Sequence, residues 1–187
     1  MKRIPQNRIF LFSACILILF TVLFLLGALY PGARELSEEE KELAQFVYGD
    51  AVDLSKVHIV FHSWYARDAS KTIGNTVHMK YPEAKLATYE TTLIHELAHV
   101  WQYQQHGWGY IPKSLTAQLL AFLRTGSRNS AYNWEERIAE GASWEEMNPE
   151  EQAEAVTAYF QYSKLQGKEG ERDKLACLIP FLSCEGS

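Results

Sequence analysis

The five residues His95-Glu96-Leu97-Ala98-His99 constrain this chain more than any other feature, because their chemistry requires a helix. Histidines four apart project from one helix face, a turn apart, and can share one metal ion. On a strand the same spacing would part them by roughly 13 Å. The flanking sequence predicts the helix over 89–105: Leu93, Ile94, Leu97, Ala98, Val100 and Trp101 form a broad apolar face, and no proline or glycine intervenes. Gly107 stands where a C-terminal cap belongs. With six histidines in the chain, such a pattern would arise by chance about 0.02 times.

Glu96 follows the first histidine, where a carboxylate can take a proton from an attacking water. Two imidazoles, a carboxylate and water suit zinc. A catalytic zinc needs a third protein ligand, and none follows at the spacing of a third histidine. Asn148-Pro149-Glu150-Glu151 predicts an N-cap, a proline at the first helical position and an acidic first turn, opening a helix to about Leu165. Ala153, Val156 and Phe160 define its apolar face, with Tyr159 beside them. At about 100° per residue, Glu150 lies at the edge of that face, Glu154 farther round, and Glu151 nearly opposite. A ligand must look inward, so Glu150 is the expected third ligand. Glu154, one turn on, is placed to hold a histidine's second nitrogen. Glu140 is the alternative ligand, and Glu151 complements the helix dipole.

The stretch Thr92-Leu93-Ile94-His95-Glu96-Leu97-Ala98-His99-Val100-Trp101-Gln102-Tyr103-Gln104 resembles the active-site helix of small bacterial gluzincin-like metallopeptidases. Some of these stand beside, or are fused to, Rhs/Vgr-type secretion and extracellular-injection components. The resemblance extends to Gly74-Asn75-Thr76-Val77-His78 and to Asn148-Pro149-Glu150-Glu151-Gln152-Ala153-Glu154, covering roughly residues 55–165. It implies a zincin-like fold and a zinc ion held by His95, His99 and Glu150. It further implies Glu96 as base and Glu154 supporting a histidine. Gluzincins usually carry aspartate at the last position.

Elsewhere, Ser37 and Glu40 read as a capping box opening a helix to about Tyr48, stopped by Gly49. Alternation predicts a strand over 57–62 and a second, containing Gly74, over 72–79, with Pro82 breaking the pattern. Helices are expected over 111–124 and 134–140, the latter ended by Gly141. The expected fold class is α+β, with a small early sheet packed on the HEXXH helix and on a later glutamate-bearing helix. His58 and His62 share the zinc spacing but fall on a strand, so they read as surface or edge histidines. His78 ends the glycine-containing strand, which would lie near the cleft as an edge for an extended peptide or be purely structural. His106 reads as a C-terminal cap of the motif helix. Trp101, Tyr103, Trp108 and Tyr110 cluster at the same end. Tyr132, Tyr159 and Arg137 are all available to stabilise an oxyanion.

Residues 9–30 are apolar and uncharged, preceded by Lys2, Arg3 and Arg8 and followed by acidic residues. About 20 such residues span a bilayer, so 1–8 reads as a cytoplasmic segment, 9–30 as a single-pass transmembrane anchor and 31–187 as an exported domain. A cleaved signal peptide is the competing reading. Setting the three leading cations aside leaves 15 basic against 23 acidic residues, a net charge of about −8. That excludes a basic stripe for nucleic acid. Cys15 lies within the apolar segment; Cys177 and Cys184 could pair in an oxidising compartment, two free thiols being the alternative. The expected activity is zinc-dependent hydrolysis of a peptide or protein substrate, with the lipid bilayer as partner. The alternatives are a non-catalytic metal-binding envelope protein, whose metal site a fourth protein ligand (Glu140 or His106) would close, and an accessory of a secretion apparatus.

Overall fold

Ser37 opens the first helix as its spacing to Glu40 predicts. Its hydroxyl accepts the Glu40 N–H at 3.3 Å, and the Glu40 carboxylate accepts the Ser37 N–H at 2.7 Å. The helix, α1 (Glu38–Tyr48), stops at Gly49. The computed structural model describes residues 32–61, 63–80 and 86–184. Within them the architecture is α+β, a four-stranded sheet with helices around it.

The sheet contains β1 (Arg34–Glu35), β2 (His58–Phe61), β3 (Lys71–Ile73) and β4 (Thr76–Met79), in the order β1-β2-β4-β3. β1 and β2 are antiparallel, β2 and β4 parallel, and β3 and β4 antiparallel. The single strand expected over 72–79 is therefore a hairpin. Ile73 pairs with Thr76 across the two-residue loop Gly74-Asn75, and Gly74 takes a φ of 62°, which a tight hairpin loop demands. A β-carbon there would lie 3.1 Å from Trp108 Cη2, so glycine is needed for space as well as for backbone. β4 thus becomes an inner strand and β3 the edge. His78 is fully buried on β4 and forms no part of an edge. His58 lies on β2 with Nδ1 3.0 Å from the Lys56 carbonyl oxygen. His62 and Pro82 fall outside the described residues.

The motif helix is α2 (Leu86–His106), followed by α3 (Tyr110–Thr125), α4 (Trp134–Ala139), α5 (Pro149–Lys164) and α6 (Glu169–Leu178). Leu93, Leu97 and Val100 of α2 share one core with Val57 just before β2, Ile59 of β2, Val77 of β4, and Ala153, Val156 and Phe160 of α5. Burying a side chain of this size stabilises by about 1.5–3 kcal/mol. The Tyr48 hydroxyl donates to the Ile94 carbonyl at 2.5 Å, fixing α1 to α2 one residue before His95. His106 does not serve as the expected cap; its ring meets Trp101 edge-on at 6.0 Å. The last helix, α6, is short of apolar residues and was not foreseen from periodicity. Its Cys177 is bonded to Cys184.

The expected membrane placement is corrected. Among the described residues no helix is long and apolar enough to cross a membrane. α2, at 21 residues, has the length, but its polar positions include Glu90, His95, Glu96 and His99. The segments expected as cytoplasmic tail and anchor, 1–8 and 9–30, lie outside the described residues, and the single-pass assignment is withdrawn.

Candidate metal centre

His95 and His99 leave α2 one turn apart, and the first turn of α5 brings Glu150 to them. The local reason is the Asn148 cap. Its Oδ1 accepts the Glu150 and Glu151 N–H groups at 2.8 and 3.1 Å, while its Nδ2 donates to the Ala131 carbonyl at 3.1 Å. Glu150 Oε2 then stands 3.6 Å from His95 Nε2 and 3.5 Å from His99 Nε2. Their ligand atoms all lie within 4.8 Å of one another. Donors at zinc distances in a tetrahedron are about 3.3 Å apart, so this donor set fits zinc in chemistry and in spacing.

Each imidazole has a second partner. His99 Nδ1 is 2.8 Å from Gln102 Oε1, and the Gln102 amide donates to the Pro149 carbonyl at 2.9 Å and to Gln152 Oε1 at 3.0 Å. With its amide nitrogen so engaged, Gln102 presents an oxygen to His99, which sets Nδ1 as donor and leaves Nε2 for the centre. His95 Nδ1 has Glu154 Oε1 at 3.9 Å, wider than a hydrogen bond. Glu96 is buried, and the Thr72 hydroxyl on β3 lies 2.8 Å from its Oε2 and 3.0 Å from its carbonyl oxygen.

The electrostatics follow from burial and pairing. Burial would raise the Glu150 carboxyl, but the His95 and His99 rings opposite hold it far below the usual carboxylate range. Burial would lower His99, but Glu150 and, less strongly, Glu96 raise it to about 9 in the metal-free chain. The Tyr132 phenol is pushed up by burial and by the Glu150 charge, so it stays protonated through neutral pH.

These groups open into a cleft of about 840 Å³, walled by β3 on one side and by α3 on the other. Tyr132 lines it, its ring 6.1 Å from His95. Tyr110 stacks on His99 at 5.9 Å and donates to the Thr72 carbonyl at 2.9 Å. Of the other expected candidates, Glu140 pairs with Arg137 at 2.7 Å, and Arg137 also faces Glu151 at 3.8 Å. None of Glu140, Arg137, Tyr159 and His106 is among the residues lining this cleft. Thr72, Gln102, Ser114 and Gln118, all in contact with site carboxylates or histidines, were not foreseen. The last two stand four apart on the inward side of α3, but Leu115, Leu119, Phe122 and Leu123 of the same helix are exposed, so its apolar pattern does not mark that side.

No known family profile matches the chain. In sequence it is 28% identical over 158 residues to the type VI secretion system spike protein VgrG2b of Pseudomonas aeruginosa. The match takes in 78% of this chain and 15% of that protein, so the chain spans a small part of its relative's length. Among solved structures it superposes on the effector domain of VgrG2b with a TM-score of 0.52, covering 89% of this chain and 97% of that domain at 21% identity. The chain has the fold of the VgrG2b effector domain.

Proposed function

We propose that this chain is a zinc-dependent, gluzincin-like peptidase with a zincin-type arrangement of sheet edge and motif helix, acting on peptide or protein substrates. The observation that carries the reading is the convergence of His95, His99 and Glu150 on one point of an open cleft, with Glu96 next to His95. Zinc, when bound there, supplies a Lewis acid that polarises the substrate carbonyl and activates water at neutral pH. Glu96 accepts the proton of the attacking water and passes it to the leaving amine. Thr72 holds one Glu96 oxygen, leaving the other for that proton. Tyr132, kept protonated, donates to the oxygen that gains charge. Among the described residues only three ligands converge, which supports a place left for water over a closed structural site.

A second reading rests on the VgrG2b likeness. In it the chain works as an effector-type domain associated with a type VI secretion spike. Co-purification of the tagged full chain with a Vgr-type spike protein of its own organism tests that association.

The activity is tested on the full chain by metal analysis, then by cleavage of a peptide library with and without chelator. One equivalent of zinc and chelator-sensitive cleavage are expected. Glu96→Gln should retain zinc and lose at least about a hundredfold in turnover. Zinc binding without cleavage would leave a non-catalytic metal protein and end the peptidase reading.

A further inference from the structure

The two oxygens of Glu150 keep different company. Oε2 faces both histidines, at 3.6 and 3.5 Å. Oε1 faces α3, where the Ser114 hydroxyl donates to it and the Gln118 amide donates to it at 2.8 Å. The Gln118 amide also reaches the Ser114 oxygen at 3.3 Å, so the two side chains form one small network across a helical turn. Ser114 and Glu150 are buried, at 8% and 4% exposure, which shields these bonds from water.

We infer that Ser114 and Gln118 are positioning residues that occupy Glu150 Oε1 and reserve Oε2 for the metal ion, making α3 part of the metal centre. The inference rests on the zinc reading above. A carboxylate free at both oxygens can turn and present both to a cation, which would fill the place kept for water. Two donors on one oxygen oppose that rotation and neutralise part of the charge that Oε2 does not use. The arrangement also couples the cleft wall to the metal, because Ile111 and Leu115 of the same helix line the cleft beside Ser114 and Gln118.

The test uses the full chain with Ser114→Ala, Gln118→Leu and the double variant. Thr116→Ala, an exposed change on the same helix, serves as control. Zinc affinity is measured by competition with a chromophoric chelator, and the zinc environment by X-ray absorption. Circular dichroism and melting of the metal-free proteins establish that each variant folds. The double variant is expected to lose ten- to a hundredfold in zinc affinity and to gain an oxygen neighbour as Glu150 turns to use both atoms, with the control unchanged. Ser114→Thr, which keeps the hydroxyl, should recover affinity over Ser114→Ala. Wild-type affinity in the double variant would overturn the inference, and so would lost affinity with an unaltered oxygen shell, which would reduce the two residues to helix packing. If the parent chain itself binds no zinc, the proposed function fails first and this inference with it.

Discussion

Thr72 links the edge of the sheet to the base of the site through a single hydroxyl. Its proton is shared between the Glu96 carboxylate and the Glu96 carbonyl, while its own carbonyl takes the Tyr110 hydroxyl. Removing a hydrogen bond to a charged group costs about 1.5–3 kcal/mol. Thr72→Val keeps the branched shape and should lower kcat by roughly ten- to a hundredfold if the bond orients the base in the transition state. Zinc affinity should hold, since no ligand contacts Thr72. A variant with normal kcat and weakened zinc would show that Thr72 supports the helix rather than the carboxylate. At the same scale, the His99–Gln102 contact explains how one imidazole tautomer is chosen without a charged neighbour: an amide whose nitrogen is committed to Pro149 and Gln152 can offer only its oxygen.

Among the elements, the start of α5 and the β3–β4 hairpin position the chemistry. Asn148 caps α5 and ties it to the segment that carries Tyr132. Asn148→Ala should destabilise the fold by about 1 kcal/mol and weaken zinc binding as the first turn carrying Glu150 frays. Denaturant titration and chelator competition on one preparation read both effects; a stability loss with zinc affinity intact would separate the cap from the site. The hairpin makes a different demand. Gly74 combines positive φ with the indole of Trp108 pressed on it, and Trp108 in turn packs on Tyr103 of α2 at 4.7 Å. Gly74→Ala should cost about 1–3 kcal/mol, visible as a lowered denaturation midpoint with an unchanged slope. A loss below about 0.5 kcal/mol would show that Trp108 moves aside freely.

For the molecule as a whole, two histidines shape stability against pH from opposite sides. Burial on β4 lowers His78 to about 4, whereas an unfolded histidine titrates near 6.5. The unfolded chain therefore binds the proton first, and the stability associated with His78 is complete above about 6.5 and lost as pH falls towards 4. His99, raised to about 9 by Glu150, behaves inversely: its contribution is complete below about 6.5 and lost as pH climbs through 9. The metal-free chain should melt highest near pH 6.5, with the midpoint falling on both sides. Zinc should remove the alkaline limb, because ligation requires neutral imidazoles. A metal-free melting profile that rises steadily from pH 5 to 9 would contradict this assignment. The Cys177–Cys184 bond closes the C-terminal end of the same fold, with α6 against α5.

What the chain determines by itself is local. The helices of His95 and Glu150, the caps at Ser37 and Asn148 and the inward edge on which Glu150 lies all follow from spacings of a few residues, because helix geometry repeats over one turn. The hairpin was harder to read: a glycine within a strand-like run is compatible with a bulge or a turn, and only pairing of Ile73 with Thr76 chooses between them. The oxygens and amides that hold the site are non-local. Thr72 lies 24 residues before Glu96, and Ser114 lies 36 before Glu150. Nothing in a window of sequence distinguishes these polar side chains from solvent-facing ones. Packing β3, α2, α3 and α5 together turns them inward, and burial then makes each unmet hydrogen bond costly enough to specify its partner.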